Sequence, residues 1–271
     1  ALRIDKTILR QIALGGCFLG SGGGGTLQSA FNLTANFTKG AYYPGDTVRL
    51  VDVEEATEGY AVVVAYIGAP DKINKAGYPD GPVEAALRIR KLLEEQDKKL
   101  AYIVPVESGA LGFTVPCLVA AKLELAVINA DGAGRAVPSL PQLTYAATKG
   151  LCARPAVLAS QDKKLCFEVG LTVHESGAKN PVNEAQVLDG LMRPLISDPG
   201  FDQFGGLALW VMDPKQQPEA QPGRTTIAKA HQLGASLPAR EDADPCITHD
   251  NSTARGDPIR ALVGPASTLA G

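Results

Sequence analysis

An acidic and a basic side chain stand four residues apart in a glycine-rich loop, as Asp131 and Arg135. A carboxylate in such a loop can act as a general base, ligate a metal ion or orient a substrate N–H group. A guanidinium can bind a carboxylate or a ring carbonyl through paired hydrogen bonds. We therefore interpret both residues as catalytic candidates. The alternative is that Asp131 stabilises its own turn and that Arg135 pairs with it.

A second carboxyl group stands in a similar loop earlier in the chain. Glu107 precedes Ser108 and Gly109, directly after an apolar run. It is the third catalytic candidate, because its loop is predicted to face that of Asp131. The alternative is an exposed loop residue without a role in chemistry.

The histidines give a weaker signal. None of His174, His231 and His249 forms an HxH or HExxH spacing. His174 lies in a predicted strand, and together with Asp131 it is a candidate ligand for a divalent metal, the one cofactor that we consider. The alternative is a structural or surface histidine.

A run of glycines near the N-terminus predicts a backbone that approaches a ligand or another group closely. Each glycine loses much backbone entropy on folding, so four in a row need a reason. The run follows a helix and lacks the Lys-Ser/Thr pair of a P-loop, which argues against nucleotide binding. Capture of an anion by free N–H groups remains open, as does a flexible connector. The candidate ligand-binding residues are Ser21, Gly22, Gly23, Gly24, Gly25, Gly68, Gly132 and Gly134.

The apolar pattern predicts the elements that position these residues. Asp5 caps a first helix, and a second helix covers 26–37. Three apolar runs at 61–67, 100–106 and 125–129 alternate with helices, which is typical of a parallel sheet. Ligands of open α/β sheets collect at the carboxyl ends of the strands. We therefore expect the loops at Gly68, Glu107 and Asp131 to meet at one edge, beside the glycine run.

The rest of the chain predicts further strands and helices. Strands are expected at 156–159, 164–169 and 206–212, with helices at 184–196 and, capped by Thr225 and Thr226, up to 237. We predict an α/β fold with a mostly parallel or mixed sheet flanked by helices and a smaller β-containing C-terminal region that is truncated. The predicted division is an α/β glycine-loop domain over 1–150, a second α/β portion over 151–240 that packs on the first, and an irregular tail over 241–271.

Composition bounds the function classes. The 271 residues carry a formal net charge of −3, which gives no electrostatic case for nucleic acid. No apolar run is long enough for a membrane span, and the first residues do not resemble a signal peptide. Five widely spaced cysteines without a CxxC pair predict reduced, buried thiols and a cytoplasmic protein.

The same loops carry a resemblance to a known family. The segments at 19–25, at 68–70, at 129–138 and at 225–234 resemble the motifs of the S-methyl-thiohydantoin desulfurase-like family, whose members often accompany hydantoinase and oxoprolinase genes. The resemblance covers roughly residues 5–237. It implies an α/β N-terminal domain, a β-rich second domain, and hydrolytic, metal-assisted chemistry on a thiohydantoin- or hydantoin-like ring.

This chain departs from the family pattern in four places. Asn129 stands where the family has an Asp, and Ser139 where it has a Glu. After 68–70, where the family tends to carry a Glu-Lys pair, this chain has Ile73, Asn74 and Lys75, and we expect the β-rich portion to be absent or truncated after about 240. These departures leave two hypotheses: a hydrolase or desulfurase with a small polar cyclic substrate, or a non-catalytic relative that binds a small ligand or a partner subunit. We also expect a homo-oligomer, a dimer by default.

Overall fold

One mixed sheet of eight strands organises the residues described by the computed structural model, 2–171, 183–221 and 223–237. The strands are β1 (Leu2–Ile4), β2 (Val48–Val51), β3 (Tyr60–Gly68), β4 (Leu100–Pro105), β5 (Ala126–Ile128), β6 (Ala130–Asp131), β7 (Ala156–Ser160), β8 (Cys166–Val169), β9 (Phe204–Met212) and β10 (Gly223–Arg224). The order across the sheet is β1-β2-β5-β4-β3-β9-β7-β8, and β6 pairs separately with β10. The predicted α/β class with a mixed sheet is confirmed.

The helices lie on both faces of this sheet. They are α1 (Lys6–Leu19), α2 (Leu27–Ala35), α3 (Pro70–Ile73), α4 (Asp80–Glu94), α5 (Ala110–Leu123), α6 (Thr144–Ala147), α7 (Glu184–Ile196), α8 (Gln217–Ala220) and α9 (Thr226–Ser236). As predicted, Asp5 caps α1, because its side chain accepts a hydrogen bond from the Ile8 N–H at 2.8 Å.

The parallel strands sit in the middle of the sheet. β5, β4 and β3 run parallel, as the three continuous apolar runs predicted, since strands buried on both faces have no polar side. β2 also runs parallel, beside β5. β9 then pairs antiparallel with β3 and with β7, and β8 pairs antiparallel with β7. The strands of the predicted portion 151–240 therefore extend the sheet formed by the first 150 residues. The predicted tail, 241–271, lies outside the described residues.

Two apolar cores fill the space between sheet and helices. One lies under α1, α2, α4, α5 and α9 and contains Leu9, Leu33 and Ile89. The other lies under α6, α7 and α8 and contains Tyr145 and Leu188. No helix within the described ranges has the length and apolar character that crossing a bilayer requires.

The cysteines are only in part as predicted. Cys117 is buried, Cys17 and Cys152 are half-buried, and all described cysteines are free thiols. Cys166, however, is exposed, because it lies on the edge strand β8, whose residues face the solvent. Cys246 lies outside the described residues.

Candidate active site

The glycine run meets the loop after β4 through a direct backbone contact. A Cβ atom added to Gly24 would lie 2.6 Å from the Gly109 Cα and 2.8 Å from the Ser108 carbonyl oxygen. A Cβ on Gly109 would in turn lie 2.5 Å from the Gly24 Cα. Only glycine allows two backbone segments to approach so closely, so this part of the run allows the two loops to pack against each other.

The same glycine closes the first turn of α5. The Gly24 carbonyl accepts hydrogen bonds from the N–H groups of Leu111 and Gly112, at 3.0 and 3.3 Å. These donors would otherwise be unsatisfied, because the first turn of a helix has no internal partners for them. The Gly24 carbonyl thus satisfies two N–H groups at the N-terminus of α5.

Further along, the run also contacts the loop after β6 and, through Thr26, the segment after α3. A Cβ on Gly23 would lie 2.6 Å from the Ala136 Cβ. Thr26 caps α2 by accepting from the Ser29 N–H, and its hydroxyl bonds to Asn74 at 3.1 Å. The run therefore lies against the loops that follow β4 and β6, as topology predicted, and the contact of Thr26 reaches Asn74, after α3.

Some donors of the run remain available for a ligand. Within the described part of the chain, no acceptor is found for the N–H groups of Gly22, Gly24 and Gly25. Gly22 and Ser21 are exposed, and the Ser21 N–H donates to the Phe18 carbonyl at 3.0 Å. The predicted role of these residues in ligand binding stays a prediction.

The three other candidate glycines serve turns and packing. A Cβ on Gly68 would lie 2.2 Å from the Gln203 carbonyl oxygen, so this glycine allows β9 to begin against the end of β3. A Cβ on Gly132 would lie 2.3 Å from the ring of Tyr145. Gly134 is exposed in a left-handed turn with open space beside it. Of the three, Gly134 alone leaves room for a ligand at its Cα.

Asp131 is fully buried and holds its own loop. Its Oδ1 accepts hydrogen bonds from the N–H groups of Ala133 and Gly134, at 2.8 and 2.6 Å. Its Oδ2 accepts from the Ser108 hydroxyl at 2.8 Å, which ties the loop after β6 to the loop after β4. Such bonds between a buried carboxylate and fixed donors are what makes its burial tolerable. The interpretation of Asp131 as a turn-stabilising residue is therefore supported by its contacts.

These contacts do not fit a metal ligand. Two N–H groups and one hydroxyl already point their positive ends at the carboxylate of Asp131, and a cation there would have to displace them. In the described ranges no three His, Cys, Asp or Glu residues come together in a metal-binding group. His174 lies outside the described residues. His231 lies on α9, where its ring nitrogen is 3.1 Å from the side chain of Gln11 on α1.

Glu107 has a different environment from Asp131. Its Oε2 accepts one hydrogen bond, from the Val137 N–H at 2.6 Å, and the side chain is half-buried. Burial raises the pKa of Glu107 to about 7; the Val137 N–H opposes this shift, and the negative charge of Asp131 adds to it. A carboxyl group with a pKa near neutrality can both take up and release a proton at physiological pH.

Arg135 is exposed in the loop after β6, which also contains Gly134. In the described ranges it forms no ion pair, so the alternative that it pairs with Asp131 has no support in the geometry. The guanidinium is therefore available to a ligand at the rim of the loop.

Sequence reasoning missed two residues of this region. Ser108 is buried and bridges the two loops through its bond to Asp131; its place directly after Glu107 was the available signal. Asn129 donates to Asp52 at 2.8 Å and accepts from the Ala228 N–H at 3.0 Å, in the first turn of α9.

The predicted capping of α9 by Thr225 and Thr226 is wrong, since Thr225 is in a left-handed conformation without a side-chain cap. Asn129 provides the cap instead.

Comparison with known proteins identifies the family of this chain. A family model described as the S-Me-THD-like, N-terminal domain matches residues 7–167, which include the glycine run and all three catalytic candidates. The chain belongs to the S-Me-THD-like family. The suspected resemblance to S-methyl-thiohydantoin desulfurase-like proteins is thereby confirmed.

A solved structure has the same fold over most of this chain. A protein from Chromobacterium violaceum, determined by X-ray crystallography, shares 53% sequence identity and superposes with a TM-score of 0.82. The alignment covers 87% of this chain and 61% of that protein, so the chain spans less than two thirds of its relative's length. No curated protein matches the chain.

Proposed function

We propose that this S-Me-THD-like protein hydrolyses a thiohydantoin- or hydantoin-like ring, with Glu107 as the general base. The observation that carries the proposal is the Glu107 carboxyl group, whose pKa is raised to about 7 beside the glycine run. A base is most effective when its pKa lies near the working pH. Family membership supports the substrate class.

The proposed reaction replaces a sulfur atom by an oxygen atom. Glu107 takes a proton from a water molecule, which attacks the ring carbon that bears sulfur. The tetrahedral intermediate collapses and its C–S bond breaks. The departing sulfur takes the proton that Glu107 holds and the proton of the added hydroxyl group, so that one thiohydantoin and one water give one hydantoin and one hydrogen sulfide. For an S-methyl substrate the leaving group is methanethiol.

The remaining candidates would bind and orient this ring. The exposed guanidinium of Arg135 would bind a ring carbonyl or a substrate carboxylate through paired hydrogen bonds. The N–H groups of Gly22 and Gly25 would donate to the charge that develops during attack. Asp131 would keep both loops in place through Ser108 and its own turn, without contacting the substrate.

The test is release of sulfide from thiohydantoins, and formation of the ring-opened N-carbamoyl amino acid from hydantoins, by the purified chain. Glu107→Gln removes the base but keeps an oxygen that accepts from Val137, and we expect sulfide release to fall at least about 100-fold. Glu94→Gln on the exposed side of α4 is the matched control and should keep wild-type activity. Equal rates for Glu107→Gln and Glu94→Gln would refute the role of Glu107.

A second candidate function has its own observation. The buried hydrogen bonds of Asp131 are all internal, which also suits a non-catalytic relative that only binds a small cyclic ligand. Calorimetric titration with a thiohydantoin, with sulfide measured in the same sample, separates the two functions. Saturable binding without sulfide release would favour the binding protein, whereas binding with sulfide release would favour the hydrolase.

A further inference from the structure

A polar groove of about 430 Å³ opens where the parallel strands begin, at the end of the sheet opposite the candidate active site. Ala101 near the start of β4 and Ala126 at the start of β5 line it. The six residues of β4 separate it from the loop of Glu107 by roughly 20 Å of strand. The groove is therefore distinct from the candidate active site.

Strand register places four of its residues in one row across four neighbouring strands. Arg3 on β1 lies directly opposite Arg49 on β2, and Arg49 is aligned with Ala126 on β5. Ala126 is in turn aligned with Tyr102 on β4. Residues in such a row point to the same face of the sheet. Arg49 stands beside the small Ala126, which leaves space between Arg49 and Tyr102, and Arg3 stands on the other side of Arg49.

The two arginines oppose each other without a compensating carboxylate. Like charges placed directly across an antiparallel pair destabilise it. Within the described part of the chain, neither Arg3 nor Arg49 forms an ion pair or a side-chain hydrogen bond. Lys99, a third positive charge that lines the groove, likewise forms no ion pair among the described residues. A negative group bound between these side chains would relieve their repulsion.

A hydrogen-bond donor completes the far wall. The Tyr102 hydroxyl oxygen accepts from the Glu58 N–H at 3.3 Å, which leaves the hydroxyl proton free to be donated. Glu58 and Glu124 also line the groove, so a ligand that carries an amino or amide N–H next to its negative group would find acceptors there. The lining thus combines Arg3, Arg49 and Lys99 with two carboxylates, Glu58 and Glu124.

We propose that this groove binds a small molecule through an oxyanion, a carboxylate or a phosphate, held between Arg3 and Arg49. Arginine forks match the geometry of both groups. The volume falls within the range of small-molecule sites, about 300–1,000 Å³. The site is independent of the proposed hydrolysis, since it shares no residue with the candidate active site.

Calorimetric titration of the full chain at low salt tests the site, with inorganic phosphate and citrate as separate probes. We expect one saturable site per chain for at least one probe. Arg3→Ala and Arg49→Ala should each weaken it at least about tenfold, and Arg49→Lys should weaken it less because the charge remains. Arg10→Ala removes an arginine that lies on α1 over the ring of Phe31, and it should leave the affinity unchanged.

The outcomes decide both the site and the ligand. Tighter binding of citrate identifies a carboxylate ligand, and tighter binding of phosphate identifies a phosphorylated one. Thermal melting without a probe checks the fold, and Arg49→Ala should melt at or above the wild-type temperature since a repulsion is removed. Absence of saturable binding for both probes, or equal weakening by Arg10→Ala and Arg49→Ala, would overturn the proposal.

Discussion

The loops after β4 and β6 each carry a carboxyl group directly after a buried strand, yet the two groups differ in nearly every property. Asp131 is fully buried and accepts three hydrogen bonds, whereas Glu107 is half-buried and accepts one. Burial without enough donors raises the pKa of Glu107 to about 7. The two carboxyl groups therefore differ in the number of donors that reach them, which their similar places in the sequence pattern do not show.

Removal of the Asp131 carboxylate should have the largest effect on this contrast. Asp131→Ala leaves two N–H groups and the Ser108 hydroxyl without their acceptor, and we expect the free energy of unfolding to fall by about 4 kcal/mol in urea titrations. Asp131→Asn keeps an oxygen for the N–H groups and should lose about half as much or less. A loss below about 1 kcal/mol for Asp131→Ala would contradict a structural role for this group.

The contact between the loops predicts the next largest effect. Gly24→Ala introduces a Cβ 2.6 Å from the Gly109 Cα in a left-handed conformation, and we expect a loss of about 3 kcal/mol. Gly22→Ala is the matched control, since Gly22 is also left-handed but has open space beside it. It should cost only about 1 kcal/mol. Equal losses for both variants would mean that backbone conformation, and not the close approach, requires Gly24.

The raised pKa of Glu107 predicts a smaller effect that depends on pH. Because the folded-state pKa lies at about 7, above the ordinary value of 4.5, the folded state binds this proton more tightly than the unfolded state does. Stability linked to Glu107 is therefore complete below about pH 4.5 and is lost as the pH rises through 7. Relative to wild type, Glu107→Gln should gain on the order of 2 kcal/mol between pH 4.5 and pH 8. A difference that is constant across this range would argue against the shift.

Arg135 should have the smallest effect on stability. It is exposed, and Arg135→Ala should change the free energy of unfolding by less than about 0.5 kcal/mol. If it binds the substrate, the same variant weakens binding of hydantoin about tenfold in calorimetric titrations. Unchanged affinity would exclude Arg135 from the ligand site.

Much of the fold could be predicted because its signals are local. The apolar run at 61–67 became β3, and Asp5 became the cap of α1, since periodicity and capping act over a few residues. The three-residue strand β1 was missed, because so short a strand has no periodicity of its own. The cap of α9 was assigned to the wrong residue, because its real partner, Asn129, is 99 positions away from Ala228.

The sequence by itself determined the α/β class, the family and the loops that follow the buried strands, because apolar runs, glycine content and motifs are properties of short segments. Only the tertiary structure decided what each loop residue does. It showed that Gly24 packs on Gly109, that Ser108 and two N–H groups satisfy Asp131, and that Glu107 lacks such donors. Hydrogen bonds and desolvation depend on groups that are distant in the chain, and these set the chemistry of two carboxyl groups that the sequence presents as equivalent.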